Sequence, residues 1–151
     1  MSSHSSAIAW SRATHATDPK TFTRNHVATL AGGQTVNMSS SPDFLGDPAC
    51  ADPEQMVVTA LASCHMLFFL ALAEVKGFPV ASYHDDPVGE LGKTDKGMAL
   101  THVTLSPRAT FVGAAPDAET LAKIHESAHR RCFIANSLTA EVTVNPAPAA
   151  P

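Results

Sequence analysis

DPEQMVVTALASCHMLFFLALAEVKGFP, residues 52–79, decides the fold, because one long helix runs between a clear start and a clear stop. Asp52 is the expected N-cap. Pro53 suits the first helical position, where the N–H it lacks would have no partner, and Gln55 stands where a capping box needs its side chain. Periodicity carries the helix to Lys76. Gly77 supplies a left-handed stop, and Pro79 prevents continuation. Apolar residues fall on every side, which predicts a helix surrounded by protein. Met56 to Val75 is also about long enough to span a bilayer. It holds Thr59, Ser63, Cys64, His65 and Glu74, however, and lacks the basic flanks that set topology. A buried central helix outside any membrane is therefore the reading adopted.

The 151 residues suffice for one domain, taken as 1–151 with loose ends at about 1–6 and 147–151. Hydrophobic residues make up 44% of the chain and charged ones 16%, enough apolar surface for a packed core. A net charge of −4 with only 10 lysines and arginines leaves no basic stripe, which argues against nucleic acid as the main partner. The first thirty residues carry no apolar core of a secretory signal. Three cysteines, an odd number, then point to a reducing, cytoplasmic setting with thiols available for chemistry.

Around the long helix, Ala7 to Thr14 reads as a strand. His26 to Leu30 and Gln34 to Ser39 read as a hairpin about Ala31-Gly32-Gly33, and Ser40 to Ala51 as a loop. Val80 to Lys93 and Met98 to Thr110 read as two longer strands joined at Thr94-Asp95-Lys96-Gly97. A second helix is expected from about Asp117 to Arg131, with Leu121, Ile124, Ala128 and Cys132 on one face, and a last strand from Ser137 to Asn145. Strands and helices are segregated rather than strictly alternating, which indicates α+β.

Cys64 lies inside the longest apolar run, and Cys132 ends the inward face of the second helix. Two packed helices would let the sulfurs meet at the Cα separation a disulfide needs, about 4.4–6.8 Å. Spacing leaves two readings open: inert buried thiols, or a reactive pair. A reactive thiol needs a lowered pKa and a cation beside it. Cys64 is roughly 16 Å from its helix N-terminus, beyond the reach of the dipole. The cation must come from another segment, and Arg24 in Phe22-Thr23-Arg24-Asn25-His26 is the candidate. Glu54 is about 15 Å from Cys64 along the helix. It serves as an ordinary first-turn acid, as a bidentate partner for Arg24, or as a contribution from a second subunit.

A competing pattern is His125-Glu126-Ser127-Ala128-His129, an H-E-x-x-H on a helix, which in metalloproteases binds zinc with the glutamate as general base. Cys132 could complete a His/His/Cys set. The alternative is surface histidines flanking an apolar face. His65 reads as a core histidine rather than a base, and Cys50 as a bystander in the loop.

At these residues the chain resembles the OsmC/Ohr family of osmotically inducible and organic-hydroperoxide-resistance proteins. The resemblance is carried by Asp52-Pro53-Glu54, Ala60-Leu61-Ala62-Ser63-Cys64-His65-Met66, Lys76-Gly77-Phe78 and His129-Arg130-Arg131-Cys132-Phe133-Ile134-Ala135-Asn136-Ser137, and it runs from about Ala7 to Asn145. It implies an intertwined α+β homodimer, with central buried helices wrapped by antiparallel sheets. It also implies cysteine-based peroxide reduction without metal or organic cofactor, with Cys64 as peroxidatic and Cys132 as resolving cysteine, and Glu54 and Arg24 as the charged partners. Many family members carry proline after the second cysteine; here that residue is Phe133. The expected substrate is an organic hydroperoxide bound against Leu67, Phe68 and Phe69. The expected electron donor is a dithiol, for which lipoylated proteins are candidates. A zinc hydrolase and a non-catalytic stress or binding protein on the same scaffold are the alternatives.

Overall fold

The computed structural model describes residues 1–148, which separate into two compact units, Met1–Met56 and Val57–Pro151. The expectation of a loose C-terminal end falls largely outside the described residues.

The first unit is an antiparallel sheet of β1 (Ser6–Ala9), β2 (His26–Leu30) and β3 (Thr35–Met38), with β2 in the middle. Ser6 opposes Leu30 and His26 opposes Met38. The first strand is shorter than expected. Beyond Ala9 the Trp10 indole N–H donates to the Thr23 carbonyl at 2.9 Å, and Thr14 pairs only with Phe22, so the segment folds back on itself. The loop after β3 is pinned by the buried Ser39, whose hydroxyl donates to Asn25 Oδ1 (2.9 Å) and accepts the Asp47 N–H (3.1 Å).

Helix α1 covers Pro53–Val75. Its start is the capping box: Asp52 Oδ1 accepts the Gln55 N–H at 2.7 Å, and Gln55 Oε1 accepts the Asp52 N–H at 3.2 Å. At its end Gly77 takes φ +81°, and Phe78 N–H reaches back to the Ala73 carbonyl at 2.9 Å, satisfying one of the last free carbonyls.

The two long strands of the sequence reading are each broken in two. β4 (Val80–His84) and β5 (Val88–Thr94) are separated at Asp85-Asp86-Pro87, and β6 (Gly97–Leu105) and β7 (Arg108–Phe111) at Ser106-Pro107. Proline has no N–H for a ladder, so neither run can continue straight through. The breaks face each other, and Asp85 Oδ1 accepts the Ser106 N–H at 2.7 Å. The hairpin thereby divides into an antiparallel β4–β7 pair and a sheet ordered β5-β6-β8.

Helix α2 spans Ala118–Arg131, with Asp117 Oδ1 accepting the Thr120 N–H at 2.7 Å as N-cap. β8 is only Glu141–Val144, because a 3-10 turn at Ala135–Ser137 takes the residues before it. It lies parallel to β6, the direction a strand takes when it returns after a helical crossover.

Two cores result. Phe69 and Ala73 of α1 pack with Leu121, Ile124 and Ala128 of α2 and with Ala109 and Phe111 of β7. Val58 and Leu61 pack with Val103 and Leu105 of β6 and with Cys132. A Cβ on Gly89 would come within 2.5 Å of Val58 Cγ2, so glycine there lets β5 lie close under the helix.

The chain does not cover α1 on every side, as the sequence had suggested. Ala60, Ser63, Leu67, Ala71 and Val75 stay exposed, Leu67 at 60% and Val75 at 86%. By length and hydropathy α1 would pass for a membrane span. Its buried ridge, Leu61-His65-Phe69-Ala73 at four-residue spacing, is that of a helix packed on protein.

Candidate active site

Cys64 and Cys132 are brought together, both as free thiols. Cys64 lies at the border of the second core, next to the exposed stripe, and is half-buried. Cys132 caps the C-terminus of α2 and is fully buried. The two thiols are neighbours in the same core, and loss of the Cys132 proton is disfavoured first by burial and also by Cys64 beside it. The Ala135 N–H, 3.4 Å from Cys132 Sγ, pulls the other way, as does the backbone at Ile134. Burial wins, and the Cys132 thiol is pushed up to about 11. The Cys132 S–H points along α1 toward the Leu61 carbonyl at 4.0 Å.

Arg24 is half-buried in the first unit. Its guanidinium lies 4.3 Å from the Phe22 ring centroid, a cation–π distance, and donates to Thr21 Oγ1 (3.0 Å) and to the Phe22 carbonyl. Glu54 is in the first turn of α1. Among the described residues no ion pair joins Glu54 and Arg24 within the chain.

The H-E-x-x-H segment is not arranged as a metal centre. His125 is 4% exposed and points into the first core rather than lying on the surface. Its ring stacks on Phe69 (centroids 4.2 Å) and its Nδ1 is 3.1 Å from Nε2 of the fully buried His65. Glu126 points outward and pairs with Arg130. Among the described residues no three His, Cys, Asp or Glu side chains gather as a metal would require. The signal for His125 was in the sequence: it sits four residues after Leu121 and three before Ala128, on the same apolar stripe. His65 and His125 are both lowered to about 4, by burial above all.

Of Leu67, Phe68 and Phe69, the structure turns Phe69 away from the pocket. It is buried against His125 and Tyr83, away from the thiols. Phe133, next to Cys132, is 71% exposed and stands edge-on over Phe68 with centroids 5.1 Å apart. Cys50 is half-buried in the loop before α1.

Residues 46–147 match the family model of OsmC-like proteins. Over 97% of this chain and the whole of the other, the structure is similar to an OsmC-like protein of unknown function from Vibrio cholerae, with 40% identity and a TM-score of 0.90. An organic hydroperoxide resistance protein from Elizabethkingia anophelis superposes with a TM-score of 0.74 at 14% identity, over 98% of this chain and 97% of that one. OhrB, the organic hydroperoxide resistance protein of Bacillus subtilis, gives 0.69 at 14% identity, over 96% and 98%. These last two share the fold. None of the functionally curated proteins compared with the chain matches it.

Proposed function

The chain belongs to the OsmC-like protein family, and on that premise we propose that it is a cysteine-based peroxidase reducing organic hydroperoxides in oxidative-stress defence. The observation that carries this reading is the contact of two free thiols from two helices, one beside an open helix face and one sealed behind it. The names of the Elizabethkingia and Bacillus proteins, organic hydroperoxide resistance proteins, point the same way.

In the proposed cycle the Cys64 thiolate attacks the distal peroxide oxygen. The O–O bond breaks, a proton goes to the departing alkoxide, and the products are a Cys64 sulfenic acid and an alcohol. The Cys132 thiol then attacks the sulfenic sulfur, its proton leaves with the hydroxide as water, and the disulfide forms. An external dithiol, a lipoylated protein being one candidate, restores both thiols by exchange. Because burial keeps Cys132 protonated, the roles divide naturally: the less enclosed sulfur meets the peroxide and the enclosed one resolves. Arg24 is assigned to stabilising the Cys64 thiolate and polarising the peroxide, with Glu54 holding its guanidinium, and the partnership runs across subunits. No metal or organic cofactor is required. Leu67, Phe68 and Phe133 give an apolar approach that favours organic hydroperoxides, since burying hydrocarbon contributes nothing to hydrogen peroxide binding.

A homodimer in the cytoplasm completes the proposal. The uncovered stripe of α1 and the exposed Phe133 form the apolar surface a second copy would cover. Sedimentation should give a dimer for the wild type and a monomer for Leu67→Glu. The deciding assay is turnover of cumene hydroperoxide with a dithiol reductant. Cys64→Ser should abolish it; full activity in that variant would remove the Cys64-based peroxidase reading, and no turnover in the wild type would favour a binding protein on the same scaffold.

A further inference from the structure

We propose that His65 and His125 form a one-way N–H···N latch between α1 and α2, each ring protonated on Nε2, and that this latch positions Cys132 against Cys64. The tautomers follow from the geometry, and the positioning role deepens, and rests on, the peroxidase reading.

The two ring nitrogens, His65 Nε2 and His125 Nδ1, are 3.1 Å apart and the rings are within 2° of parallel. Two neutral imidazoles can share a hydrogen bond only if one donates and the other accepts. His65 Nδ1 is buried and has no partner. Were the His65 proton on Nδ1, a buried N–H would be orphaned, the rarer and costlier defect; a bare lone pair there is tolerated better. The proton therefore belongs on His65 Nε2, which donates to His125 Nδ1. That places the His125 proton on its own Nε2. Burial above all keeps both rings uncharged at neutral pH, with the charge of His129 acting the same way on His65.

Among the described residues this is the only imidazole or oxygen-based hydrogen bond joining α1 to α2; the other polar tie is the 4.0 Å approach of Cys132 Sγ to Leu61 O at the α2 cap. The apolar contacts of Phe69, Ala73, Leu121, Ile124 and Ala128 hold the helices together without fixing how far one slides along the other. His65 follows Cys64 directly, and His125 lies about two turns before Cys132. A bond between the histidines thus sets the register in which the sulfurs meet. One residue of slip, about 1.5 Å and 100° of rotation, would turn a thiol away from the narrow range in which S–S bonds close.

The first measurement is on the wild type: long-range 15N–1H spectra should show Nε2 protonated in both rings and an unprotonated Nδ1 at His65. An Nδ1-protonated His65 overturns the latch. The second uses diamide, which one thiolate adds to and from which the second sulfur displaces the hydrazine, so disulfide closure is read without any peroxidase activity. His125→Asn puts an acceptor oxygen near the Nδ1 position and should close within about twofold of wild type. His125→Phe keeps the stack on Phe69 but strands the His65 N–H, and closure should slow by about tenfold. In a Cys132→Ser background the first addition at Cys64 should be equally fast with His125 or Phe at that site. Equal closure rates for the Asn and Phe variants overturn the positioning role. If the peroxidase reading is wrong and the latch right, diamide gives this same pattern while wild-type protein fails to turn over cumene hydroperoxide.

Discussion

Cys64 and His65 are consecutive residues of α1, yet they enter different cores and meet different partners on the same second helix. The imidazoles are sealed, His65 completely, with aromatic faces packed on them. The sulfurs are held by soft contacts and one lies at the edge of an uncovered face. A rigid directional bond is useful where nothing is to change. A polarizable, weakly tied pair is useful where a covalent bond must form and break. One turn of helix thus carries a thiol and a sealed imidazole on separate faces.

The sharpest way to break this contrast is at the sulfurs. Cys64→Ser should lower hydroperoxide turnover by more than about 10³-fold, as nucleophile removal does in other covalent enzymes. Cys132→Ser should consume about one equivalent of hydroperoxide and then stop, leaving a Cys64 sulfenic acid that dimedone traps and mass spectrometry detects. In reduced wild type, iodoacetamide should label Cys132 at least about tenfold more slowly than Cys64, since burial and a thiol pushed up to about 11 both withhold the thiolate. Peptide mapping of a time course reads both sites, and equal rates would contradict the assigned division of roles.

The smallest effect tests the imidazole side. Both histidines have native values near 4 against about 6.5 when unfolded, so the unfolded chain takes up protons first as pH falls. Their contribution is fully present above pH 6.5 and is lost on the way down toward pH 4, with a slope of about 1.4 kcal/mol per pH unit for each proton of difference. Urea midpoints at pH 7.5, 6 and 5 should fall accordingly, and His125→Asn should flatten the slope.

The long helix was legible because its signals are local: Asp52 with Gln55 at one end, Gly77 at the other. So were α2 and the α+β class. The breaks at Pro87 and Pro107 were visible as prolines, but that the halves would join different sheets depends on partners distant in sequence. The cysteine pair was legible because both helices present it inward. Neither reading of His125, zinc ligand by the H-E-x-x-H pattern or surface histidine flanking an apolar face, placed it in the core, although the apolar stripe of α2 already included that position. That Phe133 would stand over Phe68 was not legible, because nothing local says where a residue beyond a helix end will lie. Arg24 and Glu54 were joined by chemistry rather than by spacing, and the single chain leaves them without an ion pair to each other.

The carboxylate of Asp85 on the Ser106 amide has a dynamic consequence. It fastens the bend of one broken strand to the bend of the other, so the β4–β7 ribbon and the β5–β6 ribbon are expected to open together as a single cooperative segment. The Ser106 amide, although outside any ladder, should then exchange with deuterated solvent as slowly as the amides of β6 and β7 on either side of it.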